Sequence, residues 1–131
     1  MILLDTHIII WDALAPARLS ASARAAIAQA NAEDGLAICD SSLWEIAMLV
    51  QKGRVQVDVD CQSFINLVLQ ANKTVVQPIT PTIATLAAGF PAEVARDPAD
   101  RLIAATALAE GLPLVTADRT LQGVGGLQAI W

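Results

Sequence analysis

Asp5, Glu45, Asp100 and Asp118 are the residues of this chain whose type and placement could do chemistry. Asp5 closes the apolar run "ILLDT", Glu45 sits in "SSLWEIAMLV", Asp100 in "RDPADRLIAATA", and Asp118 follows "LPLVTA". An aspartate at the end of an apolar strand is costly unless it is paired, caps a helix or coordinates a cation. Four carboxylates gathered at one edge would repel one another and raise one another's pKa values, an arrangement that stability alone does not select. A divalent cation removes the repulsion. With oxygen donors and no Cys or His in the set, that cation is a hard one, Mg2+ or Mn2+. Mg2+ keeps waters and phosphate oxygens around it, so the chemistry this set suggests is phosphodiester hydrolysis, with a water activated for in-line attack.

Each carboxylate also has a plainer reading. Asp5 or Thr6 can cap the segment that continues into "IIIW". Ser42 and Glu45 have the spacing of a capping box. Asp97, Pro98 and Asp100 together write a helix start, as N-cap, first position and first-turn acid. Asp118 can be a turn residue. The helix start explains Asp97 fully and Asp100 only in part. Any acid in that first turn gains the same ~0.3–1 kcal/mol from the helix dipole. What the local readings leave out is that all four residues fall on the strand-end side of the expected sheet.

The elements that must position them alternate. Short β-type runs cover 2–6, 36–40, 74–79, 112–117 and, weakly, 127–130; helical runs cover 20–32, 42–52, 61–72, 81–89 and 98–111. The strand runs are almost wholly apolar, as in a parallel sheet covered by helices on both faces, which predicts α/β architecture with right-handed crossovers. Ligands in such sheets bind beyond the carboxyl ends of the strands. The punctuation agrees: Ser20 as a cap, Thr80-Pro81 as N-cap and first helical residue, Gly111 at a C-cap with Pro113 beyond. Residues 53–60, "GRVQVDVD", read as a short exposed strand or an extended connection. No repeat or linker interrupts the chain, so one domain over 1–131 is expected.

Composition bounds the rest. The 131 residues are 55% hydrophobic but only 4% aromatic, so the core must be mostly aliphatic. The net charge of −5 argues against a basic nucleic-acid binder, but not against an enzyme whose carboxylates surround a cation. Cys39 and Cys61 form no CxxC, and His7 is the single histidine, which excludes a Cys/His zinc site. Two lone cysteines suit small packing residues in a reduced cytoplasmic protein. The opening "MILLDTH" has no basic lead, and the longest uncharged run, 74–92, carries three prolines, so neither signal peptide nor membrane span is expected.

At these residues the chain resembles the PIN-domain nucleases, and within them the VapC-type toxins of bacterial toxin–antitoxin pairs. "LLDTHIIIW", "SLWEIAML", "DPADRLIAATAL" and "LPLVTADRTL" resemble the four motifs of the family, in order and over nearly the whole chain. The resemblance implies a three-layer sandwich with a parallel sheet in order 3-2-1-4-5, so that the first and fourth strands meet at its centre. It implies Mg2+- or Mn2+-dependent endoribonuclease activity with Asp5, Glu45, Asp100 and Asp118 as catalytic metal ligands. It further implies an RNA substrate, a neutralising antitoxin and a homodimer. Two positions depart from the pattern: Asp40 stands where a small neutral residue is usual, and Ala99 where an aromatic is common.

Around that set, Thr6 and Thr116 offer hydroxyls behind the carboxylates, with Asp97 beside them. Lys52 and Arg54, and Arg101 and Arg119 after site aspartates, are candidate phosphate contacts, with solvated or ion-paired surface residues as the alternative. His7 and the helical-position Trp11 and Trp44 read as structural, the tryptophans as core or dimer interface. Two other functions compete. One is a non-catalytic binding module that keeps the fold. The other is phosphoryl transfer through an aspartyl intermediate, against which stand the absence of a DxD and of a lysine ending a late strand.

Overall fold

A computed structural model describes residues 1–131. Five short strands form one parallel sheet: β1 (Ile2–Leu4), β2 (Leu36–Cys39), β3 (Thr74–Gln77), β4 (Leu114–Val115) and β5 (Ala129–Ile130), in the order β3-β2-β1-β4-β5. This is the expected order. The connections are helical: α1 (Thr6–Leu14), α2 (Ala21–Ala32), α3 (Asp40–Gln51), α4 (Cys61–Ala71), α5 (Pro81–Gly89), α6 (Pro98–Glu110) and the short α7 (Arg119–Gln122).

The pleat sorts the strand side chains by twos. Ile2, Leu4, Leu36, Ile38 and Val115 point to one face, where Ile8, Ile9, Ile27, Ile46 and Phe64 of α1 to α4 cover them. Leu3, Ala37, Cys39 and Leu114 point to the other, against Ile103, Ala104 and Ala107 of α6 and Leu121 of α7. Both faces are therefore apolar, which is why the strands read as unbroken hydrophobic runs. Ala104, Ala105 and Ala107 of α6 are almost wholly buried; their small side chains let this helix sit close to the sheet and to α5.

The strands are shorter than the sequence suggests, for identifiable reasons. β1 stops at Leu4 because Asp5 caps α1, accepting from the Thr6 amide at 2.8 Å. β3 stops before Pro78, which has no N–H to give a ladder. Two α-helices lie outside the expected set, α1 and the four-residue α7, as does one 3-10 turn over Pro16–Arg18. Residues 53–60 form the extended connection; no strand is there, and Val55 and Val57 tuck against the core of the α1–α4 face. Ser20, Thr80 and Asp97 cap their helices as read, and Gly111 ends α6 in the left-handed region at φ 64. No helix is long and apolar enough to cross a membrane.

Candidate active site

The carboxyl ends of β1, β2 and β4 bring three chain segments to one edge, and the start of α6 brings a fourth. Asp5, His7, Trp11, Glu45, Asp97, Asp100, Ala117 and Asp118 line one pocket of about 370 Å3 there. An adjoining pocket of about 340 Å3 shares Asp97, Asp100 and Asp118, and adds Glu93, Arg96 and Thr120. The structure thus brings together all four carboxylates singled out in the sequence, with Asp97 as a fifth.

Each is aimed by hydrogen bonds. Asp5 is almost fully buried, 6% exposed; Oδ1 accepts from the Thr6 amide, and Oδ2 accepts from the Thr116 hydroxyl at 2.8 Å. Thr116 Oγ1 in turn accepts from the Asp118 amide at 3.0 Å. Asp118 caps α7 with one oxygen, Oδ1, which accepts from the amides of Thr120 (2.8 Å) and Leu121 (3.3 Å). Asp97 Oδ1 likewise caps α6 through the Ala99 amide at 2.8 Å.

Glu45 corrects one reading. The Ser42–Glu45 capping box does not form, because β2 runs straight into α3 and the helix starts at Asp40 with Cys39 as its uncapped N-cap. Ser42 is instead buried inside the first turn, with Oγ 2.9 Å from Thr6 Oγ1. Thr6 Oγ1 donates its single proton to Glu45 Oε1 at 2.6 Å, so Ser42 must be the donor to Thr6. Freed from the cap, Glu45 turns to the pocket. From the sequence Ser42 reads only as a helix cap; the true helix start places it behind Thr6 instead.

The electrostatics follow from the crowding. Burial pushes Asp100 up to about 7, with Asp5, Asp97, Asp118 and Glu45 adding repulsion. Burial also raises Asp5 and Glu45, against the hydroxyl hydrogen bonds that lower them. The carboxylates line one pocket without closing into a ligand cluster of three, and an ion that takes few protein oxygens and fills its shell with water and phosphate does not require one. The donor set is all oxygen, so a hard dication fits it and a thiophilic one does not.

The remaining residues separate. Arg101 is not free for phosphate: its guanidinium donates to the carbonyls of Ala87 (3.1 Å), Ala88 (3.5 Å), Phe90, Pro91 (3.3 Å) and Ala95 (3.1 Å). Lys52 and Arg54 are exposed past the end of α3 and line neither pocket. Arg119 is exposed on α7 and lines a third hollow with Pro91 and Glu93. Arg96, which the sequence did not single out, is the cation that lines the adjoining pocket. Asp40 lies outside both pockets and accepts from the Ile79 amide at 3.1 Å, tying α3 to the end of β3. Trp44 is 66% exposed and so is not core. Cys39 is buried, its thiol pushed up to about 11 by desolvation, and Cys61 opens α4; neither is disulfide-bonded.

A five-stranded parallel sheet in this order, with acidic residues gathered at its carboxyl edge, defines a three-layer α/β domain of the PIN kind. The PIN domain family model matches residues 2–127, and the chain belongs to that family. It is 40% identical over 121 residues to the ribonuclease VapC22 of Mycobacterium tuberculosis, covering 92% of this chain and 89% of that relative. Its fold is shared by VapBC2 of Rickettsia felis, solved bound to promoter DNA, with TM-score 0.75 at 20% identity and 98% and 97% of the two chains covered. DNA-bound VapBC of Salmonella typhimurium gives TM-score 0.71 at 20% identity, again with 98% and 97% covered.

Proposed function

We propose that this chain is a divalent-metal-dependent endoribonuclease, a single domain acting as the toxin of a toxin–antitoxin pair. The observation that carries the reading is the gathering of Asp5, Glu45, Asp97, Asp100 and Asp118 around one pocket, with Asp100 raised to about 7. Asp5, Glu45, Asp100 and Asp118 would hold Mg2+ or Mn2+. When bound, such an ion stabilises charge on the phosphate and leaving oxygen and lowers the pKa of a water. The chain's own part is orientation. Thr116 fixes Asp5, Thr6 and Ser42 fix Glu45, and the caps at Asp97 and Asp118 fix two helix starts beside the pocket.

The antitoxin and homodimer parts of the reading are supported by apolar surface that the core does not use. A groove of about 590 Å3 lies between α1, α4 and residues 56–59, lined by Leu14, Val59 and Leu67 beside the core residue Phe64. Leu14, Val59 and Leu67 are exposed there, as a protein partner would require. The free cysteines suit a reduced cytoplasm.

The test is cleavage of a single-stranded RNA pool by purified protein with and without Mg2+ or Mn2+, beside Asp5→Asn and Asp100→Asn. Cleavage that needs metal and is lost in both variants is expected. If no pool is cut under any metal, or both variants cut as well as the parent, the nuclease reading fails. RNA binding without cleavage would point to the non-catalytic module.

A further inference from the structure

We infer that His7, Trp11, Arg18 and Trp131 form a stacking ledge on the rim of the carboxylate pocket, which holds a nucleobase of single-stranded RNA next to the phosphodiester to be cut. The inference rests on the ribonuclease reading and adds to it a binding site for the base.

The ledge follows from where α1 begins. Because Asp5 caps that helix, His7 and Trp11 fall four residues apart on one face, and both line the pocket. Their rings lie 6.1 Å apart at 57°. Trp131 follows β5 at the same strand-end edge as Asp5 and Thr116, and its ring lies 6.0 Å from that of Trp11 at 51°. Arg18, just beyond α1, lays its guanidinium over the Trp11 ring, 4.5 Å from the centroid. The result is a chain of tilted aromatic contacts from the pocket across α1 to Trp131, with the Arg18 guanidinium laid over its middle ring.

The core does not account for these groups. Trp11 packs only at the margin of the aliphatic core, Trp131 is 41% exposed, and His7 and Arg18 are exposed. Arg18 pairs with no carboxylate: the ion pair of the chain joins the Met1 amine and Asp34. A guanidinium stacked on an indole keeps its outer face for a base and its edge for a phosphate.

Charge makes such a ledge useful here. A pocket of five carboxylates in a chain of net charge −5 repels a polyphosphate. Base stacking on aromatic rings gives affinity that does not depend on a cluster of cations, and single-stranded RNA presents unpaired bases for it. Among the basic residues only Arg18 stacks on a ring of the pocket rim.

The test reads tryptophan fluorescence in a Trp44→Phe background, so that Trp11 and Trp131 supply the signal. Asp100→Asn prevents turnover, and Mg2+ is present to screen the RNA phosphates, since this variant is not expected to hold it at the site. A short single-stranded RNA is expected to quench the signal. The same oligomer with its bases removed is expected to bind roughly ten-fold more weakly. Trp131→Leu with Arg18→Gln, both outside the core, should weaken the intact oligomer to the level of the abasic one while keeping the parent's melting temperature. Equal binding of intact and abasic RNA, an unaffected double variant, or no quenching by any RNA overturns the ledge. So does a ledge variant that loses a protein partner but not RNA.

Cleavage is scored separately, in chains that retain Asp100. If RNA is cut with unchanged KM when the ledge is removed, the ledge falls and the nuclease reading stands. Base-dependent quenching by RNA that is never cut supports the ledge and sinks the nuclease reading.

Discussion

The hydroxyl of Thr116 donates to Asp5 Oδ2 at 2.8 Å, across 111 residues of chain. The same oxygen accepts the Asp118 amide, so one hydroxyl joins the ends of β1 and β4 and orients two of the pocket carboxylates. Thr116→Val removes both bonds while keeping the shape. It should leave a buried amide and a buried carboxylate oxygen short of partners, at about 1–3 kcal/mol. Metal affinity should fall roughly 10- to 100-fold, as it does when a ligand loses its supporting hydrogen bond. Thr116→Ser should restore most of both. Urea unfolding and metal titration check this; a valine variant with parental metal affinity would contradict it.

The raised carboxylates predict a pH dependence of stability. Asp100 goes from 3.8 to about 7, and Asp5 and Glu45 are raised too, all mainly by burial. A carboxyl whose pKa is higher folded than unfolded binds more protons in the folded state. Its contribution is full below the unfolded value and is lost as pH rises through the folded one. The metal-free protein should therefore lose stability between about pH 4 and pH 8. Asp100 is only half-buried, so solvent screening reduces its share to the order of 1–2 kcal/mol. Mn2+ should reverse the slope, because it binds the ionised groups. Melting temperatures across that range, in chelator and in Mn2+, decide it; a metal-free melting temperature that climbs toward pH 8 would be the wrong sign.

Asp97 and Asp100 share the pocket but not the same duty. Asp97 Oδ1 caps α6, whereas the Asp100 side chain makes no hydrogen bond and is pushed by burial up to about 7. Asp97→Asn should keep the cap, since asparagine caps as well as aspartate, and should mostly preserve metal binding. Asp97→Ala should cost about 1 kcal/mol. Asp100→Asn should instead abolish metal binding and stabilise the metal-free fold by removing a crowded charge. Isothermal titration with Mn2+ beside thermal melts separates the variants.

The parallel sheet and the four strand-edge carboxylates were legible because both rest on patterns that survive without coordinates, whereas the strand order came only from the family resemblance. Apolar runs mark strands buried on two faces, and an acid just past such a run stands out. Helix α1 was obscured because the apolar run after Asp5 and Thr6 is short and its three β-branched residues in a row show no helical period. With it went the register that makes His7 and Trp11 neighbours. Glu45 misled through local spacing. Its capping box was plausible only while the helix began at Ser42; the start at Asp40 depends on how β2 meets α3, which is a tertiary matter. The position of Arg101 after Asp100 suggests a phosphate contact or a solvated, ion-paired surface residue, and neither fits: its partners lie 6 to 14 residues upstream, beyond any helical spacing.

Arg101 of α6 closes the C-terminal end of α5 and the turn after it, by donating to five carbonyls between Ala87 and Ala95. Helix ends leave carbonyls without partners, and a cation there also suits the dipole. The segment so held leads directly to Arg96, Asp97 and Asp100 at the pocket. Arg101→Met keeps much of the stem packing but removes every donor, and should destabilise the fold by about 2–3 kcal/mol. Arg101→Lys should recover little, because a single ammonium cannot reach carbonyls spread around a planar fork. Limited proteolysis should cut the methionine variant first within residues 88–96, before the sheet opens. A variant that resists cleavage there and unfolds at the parental urea midpoint would show that the five bonds are not what orders the approach to Asp100.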